Sequence, residues 1–542
     1  MNDLQINGFT AAFLAALALS TGVRLWLALR QVRHVAQHRD AVPEGFADAI
    51  TLAAHQKAAD YSVAKTHLGM LDILVGAAAL LALTLGGGLQ WIAMQWSALL
   101  DPVGYWHGVA LVMSVMLVFS LLELPVTLYR TFVIEARFGF NRMTLALFLA
   151  DAAKQALVGL ALGVPLLLVV LWLMGQMGEM WWLWVWLAWM GFNLLILMIY
   201  PSFIAPLFNK FSPLADDALA ARIDALLARC GFRSQGLYVM DGSKRSSHGN
   251  AYFTGFGAAK RIVLFDTLLT RLAPTEVEAV LAHELGHYKR HHVWKRVALL
   301  FGVSLAMLWV LGRVIAEPWF YAGLNVQLQS TAMALVLFFL TVPVFPFFLQ
   351  PLTSLYSRTH EFEADAYAAS HASAAELVRA LVKLYQDNAA TLTPDPLHSA
   401  FYDSHPPAAA RVARLQRGAQ RDPVEVVEPG ETGMSDLAGR RCAPCEGGVA
   451  PYTEAQAREM LAQLKGWIIE NGALVKVYPF NNYHHTMAFV NALAWISHRE
   501  DHHPDLLVAY NKCRVEYVTH AIDGLSENDF ICAAKCDALF RL

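Results

Sequence analysis

The sequence predicts a multi-pass α-helical membrane protein of about seven transmembrane helices with cytoplasmic segments, joined to a C-terminal α+β domain with an antiparallel sheet. Three observations predict it. Apolar residues fill 56% of the 542 positions and charged residues only 16%. The apolar residues gather into long uncharged runs, and most charges fall between those runs or after the last one. From residue 435 onward this character is lost, and short strand-like and helical patterns alternate instead.

A spanning helix needs about 20 mostly apolar residues. Seven runs qualify, at roughly 9–29, 70–95, 104–128, 155–176, 180–204, 297–316 and 330–352. Met1 to Gly8 carry no Lys or Arg, unlike the positive start of a cleaved signal peptide, so the first run is expected to be retained. Arg30, Arg33, Arg39, Lys57 and Lys65 follow the first run, and Arg130, Arg137, Arg142 and Lys154 the third. Lys210 follows the fifth, while the turns after the second, fourth and sixth carry almost no positive charge. Because such charge stays on the cytoplasmic side, the N-terminus is expected outside and every long polar segment in the cytoplasm. The expected location is the lipid bilayer of the cell inner membrane.

A net charge of -3 gives no basic footprint, so nucleic acid is excluded as a partner. The six cysteines lie outside the apolar runs and form no dense disulfide framework, which fits reduced thiols facing the cytoplasm.

Residues 209–295 form the first large polar segment. Its pattern predicts a helix over Asp216 to Cys230, a strand over Gly236 to Met240, and extended stretches at Asn250 to Gly255 and Arg261 to Phe265. A helix is expected to open at Thr275, with Thr275-x-x-Glu278 as a capping box after Pro274. This helix carries His283-Glu284-Leu285-Gly286-His287. Histidines four apart share one helical face, so both imidazoles can reach one tetrahedral Zn2+. Glu284 between them is placed to act as the base that activates water.

A hydrolytic zinc site needs a third protein ligand. Position 293, where another histidine could serve, is Val293. Two crossings later the chain returns to the same face and reads His360-Glu361-Phe362-Glu363-Ala364-Asp365. Glu361 is the expected third ligand, with Glu363 its rival, and Asp365 is suited to orient a ligating histidine. His291 and His292 read as a polar helix exit. Lys289-Arg290 and Lys295-Arg296 read as positive-inside anchors.

With these residues in view, roughly positions 5–417 resemble the seven-helix CAAX prenyl endopeptidases, membrane zinc metalloproteases. The likeness rests on the HELGH string and Glu361-x-x-x-Asp365. It extends over Glu135 to Asn141, Tyr200 to Asn209, Ser246 to Phe253, and His405-Pro406-Pro407 with Arg411. The resemblance implies that Asn250 to Tyr252 pair with a peptide or membrane-protein substrate as an edge strand. It also implies that His405 stabilises the oxyanion and that Arg411 supports substrate binding at the site.

Residues 418–433 are charged and rich in Gly and Pro, as expected of a linker between a 1–417 membrane domain and a 434–542 domain. In the second domain Thr453-x-x-Gln456 opens a helix. Strands are expected at Trp467 to Glu470 and Leu474 to Phe480, then a helix from Tyr483 to Arg499. A hairpin around Asn511 and a closing helix from Glu527 to Leu539 complete it. Strand parity would put His520 on one face with Arg514 and Glu516.

This stretch resembles a complete pterin-4a-carbinolamine dehydratase. The likeness runs through Cys442-x-x-Cys445-Glu446-Gly447-Gly448, His502-His503-Pro504, Thr519-His520, Gly524-Leu525 and Glu527-Asn528-Asp529-Phe530. It implies dehydration of 4a-hydroxytetrahydropterin by acid and base groups with no metal. His502, His503 and His520 map onto the family's catalytic histidines and Asp529 onto its site aspartate. The chain departs from the family pattern at Ala521 and Asp523. Cys442 and Cys445 could bind metal or act in redox chemistry. That family assembles as dimers and tetramers, so a homo-oligomer through the C-terminal domain is also implied.

Together these readings give a membrane zinc endopeptidase fused to a pterin dehydratase. Two others stay open from the residues: a quality-control protease of membrane proteins, and a non-catalytic scaffold whose C-terminal domain serves for binding or oligomerisation.

Overall fold

The computed structural model describes residues 6–232, 234–254, 261–419, 436–443 and 450–539. Contacts divide the chain into two units, Met1–Arg421 and Asp422–Leu542.

The first unit begins with α1 (Gly8–Gln37), α2 (Leu52–Leu83) and α3 (Gly88–Ser97). One run was expected at 70–95, but the chain breaks at Gly86-Gly87-Gly88. Gly87 is left-handed at φ 76°, and a Cβ on Gly86 would stand 2.6 Å from the Ala82 carbonyl oxygen, so only glycine turns there. α2 also starts well before the apolar run, because the Thr51 side chain caps it by accepting from the Ala54 N–H at 3.2 Å. Next come α4 (Tyr105–Tyr129), continued by a π turn to Glu135, then α5 (Leu145–Gln176), α6 (Trp181–Ile199) and the short α7 (Ala205–Phe208).

The polar segment then forms a four-stranded sheet from β1 (Phe211–Pro213), β2 (Leu237–Met240), β3 (Ala251–Thr254) and β4 (Arg261–Phe265), in the order β1-β2-β4-β3. β2 and β4 are parallel and β3 pairs antiparallel with β4 alone, so β3 is an outer strand. Helix α8 (Asp217–Arg229) joins β1 to β2, and α9 (Asp266–Leu269) follows β4. The apolar face of α8, with Ile223 and Leu226 fully buried, packs with Ile262 and Leu264 of β4 against Leu281 and Leu285 of α10 (Pro274–Lys289). Gly255, the expected end of the stretch that begins at Asn250, lies outside the described residues.

The start of α10 corrects the capping expectation. Glu276, not Glu278, reaches back to accept from the Ala273 N–H at 2.7 Å, because Pro274 is the first helical residue and sets Glu276 three positions past the cap. Glu278 instead receives Arg222 and Arg229, and Thr275 donates to Glu376. After α10 come α11 (His292–Val314), α12 (Pro318–Ala322), α13 (Thr331–Thr341) and α14 (Gln350–His371). Among the described residues, six helical segments are long and apolar enough to cross a membrane. A seventh arises if Thr331–Val344 and Pro346–His371, bent by 49°, form one span. Pro343 and Pro346 sit at the bend, where they cannot donate to the helical ladder. The unit closes with α15 (Ala374–Asp387), α16 (Pro396–Tyr402) and α17 (Ala408–Ala419). α17 therefore runs two residues into the expected linker, most of which lies outside the described residues.

The second unit has α18 (Glu454–Leu461), β5 (Ile468–Glu470), β6 (Ala473–Pro479), α19 (Tyr483–Glu500), β7 (Asp505–Val508), β8 (Lys512–Tyr517) and α20 (Glu527–Ala538). The sheet is antiparallel in the order β5-β6-β8-β7. The Thr453 and Gln456 capping box forms as its spacing requires. Leu474, Leu493, Val515, Tyr517 and Phe530 fill the core between sheet and helices.

Candidate metal centre and active site

Helices α10 and α14 pack against each other and carry the first site. His283, His287 and Glu361 form a group whose ligand atoms all lie within 4.8 Å of one another. His283 Nε2 and His287 Nε2 are 3.2 Å apart, and the Glu361 carboxylate stands 3.5 and 3.4 Å from them.

The surroundings decide where the protons sit. Asp365 accepts from His283 Nδ1–H at 2.9 Å, leaving the His283 Nε2 lone pair facing inward. Arg411 donates to both oxygens of Asp365, at 2.6 and 2.9 Å, and stands 3.8 Å from Glu361. Glu361 Oε2 is buried with no hydrogen-bond partner. Buried polar atoms are rarely left so. The inward lone pair of His283, the His287 Nε2 beside it and an orphaned carboxylate oxygen fit a divalent cation. Burial opposes charging His283, but the carboxylates of Asp365 and Glu361 outweigh that and push its pKa up to about 9, so the centre attracts a positive charge, which a metal ion at Nε2 would supply in place of a proton. Burial also lifts the Glu284 carboxyl above its usual range, against the pull of His283 and His287.

The structure brings Glu361, the expected third ligand, beside His283 and His287, and Asp365, expected to orient a histidine, against His283. Sequence reasoning gave no role to His292, which the structure turns onto His287 at 2.9 Å between Nδ1 atoms. Glu363, the rival ligand, faces His292 instead of the centre. His405 extends its ring to 3.5 Å from Glu361 while remaining 63% exposed, so it can meet a ligand that enters. It lines a cavity of about 620 Å³ together with Tyr61, Tyr385, Asn388 and His398. Arg411, expected at the substrate, is 6% exposed and bound to Asp365.

Asn250 and Tyr252 lie at and on β3, which packs against α10 with an unpaired outer edge among the described residues. Two matched stretches meet to hold that strand. Asn141 bridges Ser246, and the Ser247 N–H donates to the Phe140 carbonyl at 3.2 Å. His248 stacks on Phe140, accepts or donates at Asn388 at 2.9 Å, and lies 3.7 Å from Glu135, which also receives the Tyr61 hydroxyl. Arg245 grips Asp151 of α5 through two bonds, of 2.8 and 3.1 Å.

In the second unit, Asp529 is fully buried. It accepts from His502 Nε2–H at 2.8 Å, Thr519 Oγ1 at 2.8 Å and the Ser526 N–H at 2.7 Å. His503 is exposed. The parity argument for His520 fails, because β8 ends at Tyr517 and His520 opens a short 3-10 turn. That turn leaves His520 exposed, 3.8 Å from Asp505 at the start of β7. It ends at Asp523, left-handed at φ 47°, one of the two positions at which the chain departs from the resembled family's pattern. Cys442 stands 3.5 Å from Cys532, while Cys445 lies outside the described residues.

What this fold and site define is a class: an integral membrane metalloprotease. The family described as CAAX prenyl protease N-terminal, five membrane helices, matches residues 31–210, and peptidase family M48 matches residues 213–419. Pterin 4 alpha carbinolamine dehydratase matches residues 450–539. CAAX prenyl protease 1 homolog of Oryza sativa subsp. japonica is 37% identical over 314 residues, 57% of this chain and 73% of the relative. The homolog of Arabidopsis thaliana is 34% identical over 399 residues, 72% of this chain and 93% of the relative. The crystal structure of S. mikatae Ste24p superposes with a TM-score of 0.71 at 29% identity, covering 76% of this chain and 99% of that one. The chain belongs to the M48 zinc proteases of the CAAX prenyl protease 1 family, and it carries a C-terminal pterin-4a-carbinolamine dehydratase domain.

Proposed function

We propose that the first unit is a zinc-dependent endopeptidase of the CAAX prenyl protease type, cleaving a peptide or membrane-protein substrate at a cytoplasmic mouth with the N-terminus outside. The observation that carries this reading is the convergence of His283, His287 and the orphaned Glu361 oxygen beside Glu284. Bound by these three residues, zinc would supply Lewis-acid activation of water and of the scissile carbonyl. Glu284 takes a proton as the water oxygen attacks that carbonyl carbon, and returns it to the amine nitrogen as the C–N bond breaks. His405 donates to the carbonyl oxygen as charge builds there. Asn250 and Tyr252 hold the substrate backbone along the free edge of β3, and Asp365 with Arg411 keeps His283 oriented. The charge distribution of the connecting segments supports the orientation.

The test pairs metal analysis with peptide cleavage by wild type and Glu284→Gln in detergent. The expected result is about one zinc per chain in both, because Glu284 is not a ligand, and loss of cleavage in the variant. Undiminished cleavage by the variant would sink the assignment.

For the second unit the proposed activity is metal-free dehydration of 4a-hydroxytetrahydropterin. His520 and His503 are the exposed acid and base groups, and the buried Asp529 holds His502 in place. A variant His520→Ala as fast as wild type would leave the domain a binding or oligomerising module.

A further inference from the structure

His287 turns its outer nitrogen onto His292, a residue that five positions of unbroken helix would carry about 140° around the axis and out of reach. The chain is not unbroken there. α10 ends at Lys289, and His291 is left-handed at φ 58° and ψ 30°, so the first residue of α11 folds back over the end of α10. His292 Nδ1 then meets His287 Nδ1 at 2.9 Å, and His292 Nε2 meets Glu363 Oε2 at 2.9 Å. His360 stacks flat on the His292 ring, with centroids 4.0 Å apart and planes 12° apart. His292 itself is 1% exposed.

The carboxylate at the end of this chain fixes its direction. Glu363 can only accept, so His292 Nε2 carries the hydrogen and donates it. His292 Nδ1 is then a lone pair that accepts from His287 Nδ1–H. His287 Nε2, in turn, is left unprotonated and aimed at His283 and Glu361. Packing alone would not need three groups in this order.

We propose that His292 and Glu363 are positioning residues for the metal, fixing the tautomer and ring orientation of His287 so that its Nε2 can bind zinc. This rests on the reading of His283, His287 and Glu361 as ligands. Asp365 performs the same service for His283 directly, whereas His287 is served through an interposed ring, with its carboxylate at the surface. A ligating histidine commonly gives its other N–H to such a partner, and loss of the partner typically weakens metal binding by roughly 10–100-fold.

The test uses the full chain in detergent. Zinc affinity is measured by chelator competition, the d–d spectrum is taken after cobalt substitution, and the melting temperature is taken after the metal is stripped. Glu363→Ala should bind zinc roughly tenfold more weakly, while Glu363→Gln, whose amide oxygen can still accept, should stay near wild type. His292→Phe keeps a ring against His360 but cannot accept, and should lose up to roughly 100-fold with a changed cobalt spectrum. The stripped proteins should melt together with stripped wild type. Wild-type affinity in both Glu363→Ala and His292→Phe overturns the proposal. So does a loss of affinity matched by a lower melting temperature of the stripped variants, which would mean packing alone. If wild type binds no zinc, or His287→Ala binds it as well as wild type, the ligand reading itself fails and the proposal with it.

Discussion

Gly286 lies so close to Ala364 that a Cβ added to it would stand 2.9 Å from the Ala364 Cα and 3.1 Å from the Ala364 carbonyl oxygen. The fourth residue of the HELGH string therefore sets the distance between the helix that carries His283 and His287 and the helix that carries Glu361. Gly286→Ala must push α14 outward, since backbone cannot rotate away as a side chain can. The expected outcome is at least tenfold weaker zinc binding by chelator competition, with destabilisation of about 1–3 kcal/mol in thermal unfolding. Wild-type zinc affinity in this variant would show that the ligand spacing tolerates the shift.

Arg411 and Asp365 are both almost fully buried and doubly bonded. Removing one partner of such a pair strands the other charge in the interior. Arg411→Leu is expected to lower stability by about 3–5 kcal/mol and to release zinc, because Asp365 then loses its fixed position beside His283. Thermal unfolding and metal content of the purified protein measure both. An Arg411 that served substrate alone would raise KM and leave the metal in place.

How much of this was legible in the sequence depends on whether the deciding physics was local. The Thr453 cap, the HELGH face and the return of Glu361 follow from spacing along one element or from counting crossings. The start of α2 did not, because its first turns carry Lys57, Asp60 and Lys65 and look polar, although the helix continues through them. Glu276 could have been found as the cap partner from Pro274, which fixes the first helical position. His292 was hidden for a different reason. Its contact with His287 depends on a left-handed residue that is not glycine, and no periodicity announces such a turn.

In the second unit, burial separates Asp529, which is fully enclosed, from His520, the exposed ring proposed to act on the pterin. Asp529→Asn would set an amide NH2 either against the Ser526 N–H and Thr519 hydroxyl together or against the His502 Nε2–H, leaving a buried donor facing a donor or forcing His502 into its other tautomer. It should cost about 1–3 kcal/mol of stability. His520→Ala touches an exposed ring and should leave stability within about 0.5 kcal/mol while slowing dehydration by roughly a hundredfold or more. Unfolding curves and the rate of 4a-hydroxytetrahydropterin loss separate the two effects. Equal loss of stability in both variants would contradict the division.

The left-handed backbone at His291 makes opposite demands on two substitutions. A non-glycine residue there costs about 1–2 kcal/mol in the folded state, so glycine relieves the strain, while its freer unfolded chain takes back roughly 0.5–1 kcal/mol. His291→Gly should therefore be neutral to slightly stabilising, with zinc affinity intact, since His292 keeps its place over His287. His291→Val, branched at Cβ, fits this conformation worst. It should destabilise by about 2 kcal/mol or more and weaken zinc binding as the turn reopens and His292 leaves His287. Melting temperature and chelator competition on the two variants decide the matter. Equal behaviour of glycine and valine would mean that the turn at His291 is not what brings His292 to His287.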